Sequence, residues 1–295
     1  MASMNKIGII VDCFGLGVRE GLLKAKEVGA HGVQLWATHG EMDPDHLDAT
    51  ARKDLRTYIE SLGLEISALC GDLGGHGFQD RRDNPSKIER SKRILDLAKD
   101  LGTNVVTTHI GVVPERPDDP VYVDMQQACI ELSRYADSVG GYFAIETGPE
   151  PAAHLKRFLD SLGSRGVGVN FDPANLVMVT GDDPVQGVHL LKDYIVHTHV
   201  KDGVRLRQVD PKLVYGSLGF EPLDHESVAK QVSEGEYFRE VPLGEGEVDF
   251  SAYFNALKDI GYTGYLTIER EVGNNPEKDI HKAVQFINAI LNLQD

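Results

Sequence analysis

The 295-residue chain has few cysteines and no long apolar segment. Its three cysteines, Cys13, Cys70 and Cys129, are widely spaced, and none belongs to a CxxC pair. This argues against a disulfide framework and is typical of a reducing cytoplasm, where we expect this protein. We expect Cys70 and Cys129 to fill core or helix-face positions. Cys13 follows the first predicted strand, so it is either a small buried residue or lines a pocket.

No run of about 18 or more apolar residues is present, so we expect no membrane span. The first residues, MASMNK, lack the apolar region of a signal peptide. Basic residues are scarce: 30 Lys and Arg stand against 46 Asp and Glu, giving a formal net charge of −16. An acidic surface repels a phosphate backbone, which argues against nucleic acid as a partner. The chain does have 41% hydrophobic residues, enough for a large core.

Short apolar runs alternate with longer amphipathic runs along the chain. The predicted strands are 6–12, 32–37, 65–72, 104–110, 142–148, the runs that end at Asp172 and at His199, and 264–269. The predicted helices are 18–29, 48–62, 86–101 with Ser86 as N-cap, 121–139, 151–162, 184–193, 250–260 and 277–292.

Eight strand–helix repeats predict a parallel sheet closed into a single (β/α)8 TIM barrel of the α/β class, spanning residues 1–295. An open doubly wound sheet is the structural alternative. No GxGxxG opens a helix after the first strand, which disfavours it. Residues 203–243, the inserted segment, interrupt the alternation after strand seven. A segment of this length is usually functional, so we predict a lid, a helical insert or an interface. Its part 227–236 is predicted to be an exposed helix or mobile.

Side chains that could bind a ligand or a metal end several of the predicted strands. In a TIM barrel the active site lies at the carboxyl ends of the strands, so these side chains share one mouth. They are Trp36, Asp72, His109, Glu146, Asp172, His199 and Glu269.

Four of these side chains end the last four strands: Glu146, Asp172, His199 and Glu269. Three carboxylates and one imidazole suit Mn²⁺, Mg²⁺, Co²⁺ or Zn²⁺. A single strand-end glutamate is more often a solvated residue or an ion-pair partner, so the prediction depends on all four together. His197 and His199 point to the same side of one strand, so either is a candidate ligand.

Five segments, AIETG, NFDPAN, HTHVKDG, PLGEGEVDF and YLTIERE, resemble the xylose-isomerase-like TIM-barrel superfamily, in particular its ketose 3-epimerase and inosose dehydratase branches. The resemblance implies a divalent metal, Mn²⁺ first, on Glu146, Asp172, His199 and Glu269, with His199 preferred over His197. It also implies that Glu146 and Glu269 act as acid and base through an ene-diolate of a ketose.

Further substrate contacts are expected around this site. The resemblance implies one for Arg205, six residues after His199. Asn175 stands where several members of the superfamily have a histidine, which leaves the substrate open. His109, Lys201, Trp36 and His76 are further candidate contacts from their places at strand ends or in the loop that follows strand three. Close members of the superfamily have a short loop where this chain has the inserted segment, which favours a substrate larger than a free pentose, or a partner subunit.

These features leave four candidate functions. The first is a metal-dependent sugar isomerase or epimerase acting on a ketose or keto-sugar, without phosphate. The second is a lyase that eliminates a β-substituent from an inosose or a 3-keto-glycoside. The third, a DNA-repair endonuclease of the endonuclease IV type, is disfavoured by Asn175 and by the charge. The fourth is a non-catalytic sugar-binding protein. A homo-oligomer is common in the superfamily and is compatible with all of these readings.

Overall fold

The computed structural model describes residues 6–220, 230, 234 and 236–294. The strands of this part of the chain are β1 (Lys6–Ile10), β2 (Gly32–Trp36), β3 (Glu65–Cys70), β4 (Val105–Thr108), β5 (Tyr142–Glu146), β6 (Val167–Phe171), β7 (Ile195–Val200), β8 (Asp202–Arg205), β9 (Phe238–Val241) and β10 (Tyr265–Ile268). Strands β1 to β7 and β10 form a closed parallel barrel in the order β1-β10-β7-β6-β5-β4-β3-β2. This confirms the predicted (β/α)8 TIM barrel.

Helices follow the barrel strands as the alternation predicts. Within the described residues they are α1 (Val18–Glu27), α2 (Ala49–Ser61), α3 (Asn84–Leu101), α4 (Pro120–Ser138), α5 (Ala152–Asp160), α6 (Pro173–Asn175), α7 (Pro184–Leu191), α8 (Pro211–Tyr215), α9 (Phe250–Asp259) and α10 (Pro276–Gln294). None of the helices in this part of the chain is both long and apolar enough to cross a membrane.

Helix starts are marked by aspartates whose side chains accept backbone N–H bonds. Asp48 accepts from Ala51 and Asp249 accepts from Ala252, each satisfying a donor of the first turn. The prediction that Ser86 caps α3 is wrong. The helix begins at Asn84, because Pro85 fits the first turn without losing a hydrogen bond. The Ser86 hydroxyl does not cap the helix but donates to the Asp83 carbonyl.

The barrel interior contains both apolar side chains and hydrogen-bonded polar side chains. A small apolar cluster of Ala68, Val105 and Ala144 lies inside the barrel. Hydrogen-bonded polar side chains, including Gln34 and His197, are almost fully buried inside it. Because these groups bond to one another, burying them costs little and positions the side chains at the strand ends.

The described ends of the inserted segment form a ribbon at the mouth of the barrel. Strands β8 and β9 pair in antiparallel fashion, and α8 lies between them in the chain. The Asp202 carboxylate accepts four backbone N–H bonds, from residues 203, 244, 246 and 248, and so closes the base of the ribbon. The predicted helix at 227–236 lies outside the described residues, apart from residues 230, 234 and 236.

Candidate metal centre and active site

The four predicted ligands meet at the carboxyl ends of β5, β6, β7 and β10. One possible ligand atom from each of Glu146, Asp172, His199 and Glu269 lies within 4.8 Å of all the others. His199 Nδ1 is 3.5 Å from Glu146 Oε1, 3.6 Å from Asp172 Oδ2 and 3.1 Å from Glu269 Oε2. This is the convergence of carboxylates and imidazole that a divalent ion requires.

Neighbouring amides fix the orientation of these ligands. The side-chain amide of Asn170 donates to Glu146 Oε2 at 2.9 Å, and that of Asn175 donates to Glu146 Oε1 at 3.1 Å. Gln34 Oε1 lies 3.2 Å from His199 Nε2. A proton on Nε2 directed at Gln34 would leave the lone pair of Nδ1 free for an ion bound among the carboxylates, which is the tautomer that a metal ligand needs.

One oxygen of the cluster has no hydrogen-bond partner among the described residues. Asp172 Oδ1 accepts from the backbone N–H of Asn175 at 2.8 Å, as the cap of α6, but the buried Oδ2 accepts no hydrogen bond. An unsatisfied carboxylate oxygen in a protein interior is costly. An ion coordinated by Oδ2 would satisfy it, so the residues present fit a divalent metal.

The electrostatics of the cluster indicate an excess of negative charge. Burial opposes charging of His199, but Glu269 and Glu146 outweigh burial and raise the pKa of His199 well above its usual range. Burial raises the pKa of Asp172. For Glu269, burial is the largest influence, yet the charges of Lys201 and His199 overcome it and hold the pKa of Glu269 well below its ordinary value.

His197, the competing ligand candidate, is bonded away from the cluster. Its Nε2 lies 2.9 Å from Gln34 Oε1 and 3.1 Å from the Thr267 hydroxyl. Burial lowers the pKa of His197 well below its usual value, so the ring is neutral. The geometry therefore favours His199, as the sequence resemblance implied.

Lys201 places a positive charge beside Glu269. Its side chain is 5% exposed, and Nζ lies 3.1 Å from Glu269 Oε2 and 3.8 Å from Glu240 Oε2, with a closer bond to Glu271. Glu240 comes from β9 of the inserted segment and is also bonded to Arg270 at 2.7 Å. The inserted segment is thus connected to the catalytic end of the barrel through buried charges.

On the other side of the cluster, Asp72 and His109 form a pair. His109 Nδ1 is 3.1 Å from Asp72 Oδ2, and its buried Nε2 lies 3.7 Å from Glu146 Oε1 without a hydrogen bond to any described residue. Burial works against charging of this ring, but the carboxylates of Glu146 and Asp72 prevail and raise the pKa of His109 to about 9. The ring is therefore positioned as a hydrogen-bond donor.

These groups surround a cavity of about 560 Å³. Trp36, His109, Asn175 and Lys201, all predicted substrate contacts, line it together with three of the four candidate ligands: Glu146, His199 and Glu269. Two other predicted contacts, His76 and Arg205, are not among its lining residues. Instead, Arg205 lies against Gly181 and His76 lies beside Gly216.

Several residues that line the cavity were not predicted to do so. Gln34 lies two residues before Trp36 in β2, so the alternation of a strand points both side chains to the same side, a signal that was available. Tyr215 and Glu240 lie in the inserted segment, whose path no local pattern reveals. Cys70, predicted to be a core residue, is buried but also lines the cavity, whereas Cys13 does not.

The family model described as xylose isomerase-like TIM barrel matches residues 22–290 of the chain. The chain belongs to this family. A solved structure from Planctomyces limnophilus, a xylose isomerase domain protein, superposes with a TM-score of 0.78 at 26% identity, over 98% of each chain. The TIM barrel and the sequence resemblance are thus confirmed together.

Two curated relatives are similar over shorter stretches. An inosose dehydratase of Lacticaseibacillus casei is 31% identical over 150 residues, which cover 50% of this chain and 46% of that protein. The match therefore spans about half of that relative. The L-ribulose-5-phosphate 3-epimerase UlaE of Salmonella paratyphi B is 43% identical over 54 residues, 18% of this chain and 19% of that protein. The names of these relatives cover two different reaction classes.

Proposed function

We propose that this protein is a divalent-metal-dependent isomerase or epimerase that acts on a ketose or keto-sugar. The observation that carries the proposal is the four-residue cluster, with an unsatisfied oxygen on Asp172 and two glutamates at its two ends. A curated relative named as a 3-epimerase supports the reaction class. We propose Mn²⁺ as the metal, because three carboxylates and one imidazole provide mostly hard oxygen ligands without a thiolate.

Glu146, Asp172, His199 and Glu269 would hold the ion. When bound, it would stabilise the negative charge that develops on the sugar oxygens as a carbon acid loses its proton. The chain supplies the remaining chemistry. Asn170 and Asn175 fix the carboxylate of Glu146 on one side, and Lys201 fixes that of Glu269 on the other.

The two glutamates have different roles in proton transfer. One removes the proton from the carbon next to the carbonyl, and the other returns a proton from the opposite side, which inverts the stereocentre. Strands β5 and β10 are separated in the barrel by β6 and β7, so Glu146 and Glu269 approach a substrate from two directions. His109 adds a hydrogen-bond donor beside Glu146.

A lyase is the second candidate, and the size of the cavity favours it. A volume of about 560 Å³ is roughly in the range of pockets for drug-sized ligands and exceeds what a free pentose fills. Part of the wall is apolar, formed by Trp36, Met178, Val214, Phe238 and Val272. These residues suit a substrate with an apolar aglycone joined through an oxygen to the carbon β to the carbonyl. When the carbon next to the carbonyl loses its proton, that electron pair forms a C=C bond, the C–O bond breaks, and the aglycone leaves with its oxygen and takes up a proton.

Proton NMR in D2O tests both functions. Mn²⁺-loaded protein is incubated with a panel of ketoses, inososes and 3-keto-glycosides. Deuterium beside the carbonyl together with a new stereoisomer identifies an epimerase, and deuterium with loss of water or an aglycone identifies a lyase. Glu146→Gln and Glu269→Gln should each reduce turnover by at least about a thousandfold, because each removes an acid–base group. Glu131→Gln, at an exposed ion pair with Lys92, is the matched control and should keep full activity.

The outcome separates catalysis from simple binding. If neither glutamine variant loses activity, the two-glutamate mechanism is wrong. If metal-loaded wild-type protein exchanges no proton with any compound of the panel yet binds one of them, the protein is a sugar-binding protein and the proposal fails.

A further inference from the structure

Tyr215 brings an aromatic ring from the inserted segment into the active-site cavity. It is the last residue of α8 and lines the cavity together with the preceding Val214. Its ring packs on that of His109, with 5.1 Å between the ring centroids and 37° between their planes. Because His109 is held by Asp72 at the end of the barrel, Tyr215 rests on a rigid part of the site.

The phenol oxygen of Tyr215 lies directly over the end of β5. A Cβ atom built at Gly148, two residues after Glu146, would be 2.3 Å from this oxygen and 2.8 Å from Cβ of Asn175. Only a glycine leaves room for the hydroxyl at this point. The hydroxyl therefore lies next to Asn175, whose amide holds Glu146, and on the opposite side of the cluster from Lys201.

A structural role does not account for this hydroxyl. Most tyrosines inside a fold give the O–H a hydrogen-bond partner. Tyr215 is only partly buried, and within the described part of the chain its hydroxyl makes no hydrogen bond, although the residue lines the cavity. Tyr253, a core tyrosine, shows the contrast: its hydroxyl donates to the carbonyls of Phe171 and His199.

The chain around Tyr215 is held against the barrel. The backbone N–H of Leu218 donates to Gln79 Oε1 at 2.6 Å. Gly216 lies beside His76 in the loop after β3, where a Cβ would be 3.4 Å from the His76 ring nitrogen. His76 thus packs beside the inserted segment, and its side chain does not line the cavity.

We propose that Tyr215 is a substrate-binding residue whose phenol hydroxyl donates a hydrogen bond to one oxygen of the keto-sugar on the Glu146 side of the site. The inference rests on the proposed function and adds a specificity determinant to it. The inserted segment would select substrates that carry an oxygen at this position. A substrate without that oxygen would leave the Tyr215 hydroxyl without a hydrogen-bond partner in the bound state.

The test measures kcat/KM for Tyr215→Phe and for wild-type protein, both loaded with Mn²⁺. The substrates are the best compound of the NMR panel and a series of analogues of it, each lacking one hydroxyl. The phenylalanine keeps the ring that packs on His109, so the fold and its melting temperature should be unchanged. Tyr237→Phe is the matched control, since Tyr237 lies in the same segment but packs on Arg207 and does not line the cavity.

We expect Tyr215→Phe to lower kcat/KM on the full substrate about tenfold, the effect of one lost hydrogen bond. On one deoxygenated analogue, both proteins should be equally poor, since the partner oxygen is gone. An equal loss of kcat/KM on the full substrate and on every analogue would indicate a structural role and overturn the inference. A kcat/KM of Tyr215→Phe within twofold of the wild-type value on the full substrate would also overturn it. If the wild-type protein itself exchanges no proton with any compound, the proposed function fails, and this inference fails with it.

Discussion

Replacing Lys201 by methionine removes the positive charge that two buried carboxylates share. Lys201 Nζ lies 3.1 Å from Glu269 Oε2 and 3.8 Å from Glu240 Oε2, and the side chains of these glutamates are 10% and 7% exposed. Glu271 also bonds to Lys201 but is 56% exposed, so water compensates for its loss. Methionine has a similar length and fills the same space, so the change tests charge rather than packing.

The expected loss of stability follows from these contacts. Removing one partner of a buried ion pair costs about 3–5 kcal/mol, because the remaining charge is left uncompensated. Glu240 keeps Arg270 at 2.7 Å, which places the expected loss near the lower end, about 3 kcal/mol. For 295 residues the entropy of unfolding is about 0.6 kcal/mol per degree, so the melting temperature should fall by about 5 °C.

The assay is thermal unfolding followed by circular dichroism in EDTA, so that no metal replaces the missing charge. Lys156→Met is the control, because Lys156 forms an exposed i,i+4 pair with Asp160 and should cost less than about 0.5 kcal/mol. A Lys201→Met protein that melts within 1 °C of the wild type would refute the view that this lysine compensates a buried acidic cluster.

Two further predictions concern buried groups near the site. Burial raises the pKa of Glu150 to about 8, so the folded protein favours the protonated acid, and the contribution of this group to stability is greatest below its ordinary pKa and is lost as the pH rises to about 8. Glu150→Gln should abolish this pH-dependent loss of stability, which is worth up to about 5 kcal/mol. The melting temperatures of both proteins are measured from pH 5 to 9, and parallel curves would contradict the prediction. Gln34→Leu removes the hydrogen-bond acceptor of His199 Nε2, so Mn²⁺ affinity measured by calorimetry should fall about 10–100-fold. An unchanged affinity would show that Gln34 does not orient His199.

The fold and the candidate metal-binding cluster follow from local signals in the sequence. The alternation of short apolar and amphipathic runs predicts the barrel, and the barrel brings strand ends together whatever their distance in the chain. For this reason Glu146 and Glu269, over a hundred residues apart, were predicted to meet from their places at strand ends. The choice between His197 and His199 was left to family resemblance, since both point the same way. The hydrogen bond of His197 to Thr267 supplies the physical reason.

The contributions of the inserted segment were not predictable. Glu240 reaches Lys201 through the pairing of β8 with β9, and Tyr215 reaches His109 through the path of the chain between them. Both contacts depend on long-range packing that leaves no period or motif in the sequence. Arg205 is a further example: its place six residues after His199 implied a substrate contact, its side chain lies against Gly181 and outside the cavity lining, and the contact stays a prediction.

Mn²⁺ titration shows whether Glu146, Asp172, His199 and Glu269 form a metal centre. Mn²⁺ is titrated into EDTA-stripped protein, and the free ion is followed by its paramagnetic resonance signal. Our account predicts one tightly bound ion per chain and a loss of binding in Asp172→Asn, since this change removes the unsatisfied buried carboxylate. A wild-type protein that leaves the signal of free Mn²⁺ undiminished, or an Asp172→Asn protein that binds the ion as tightly as the wild type, would contradict a metal centre formed by these four residues.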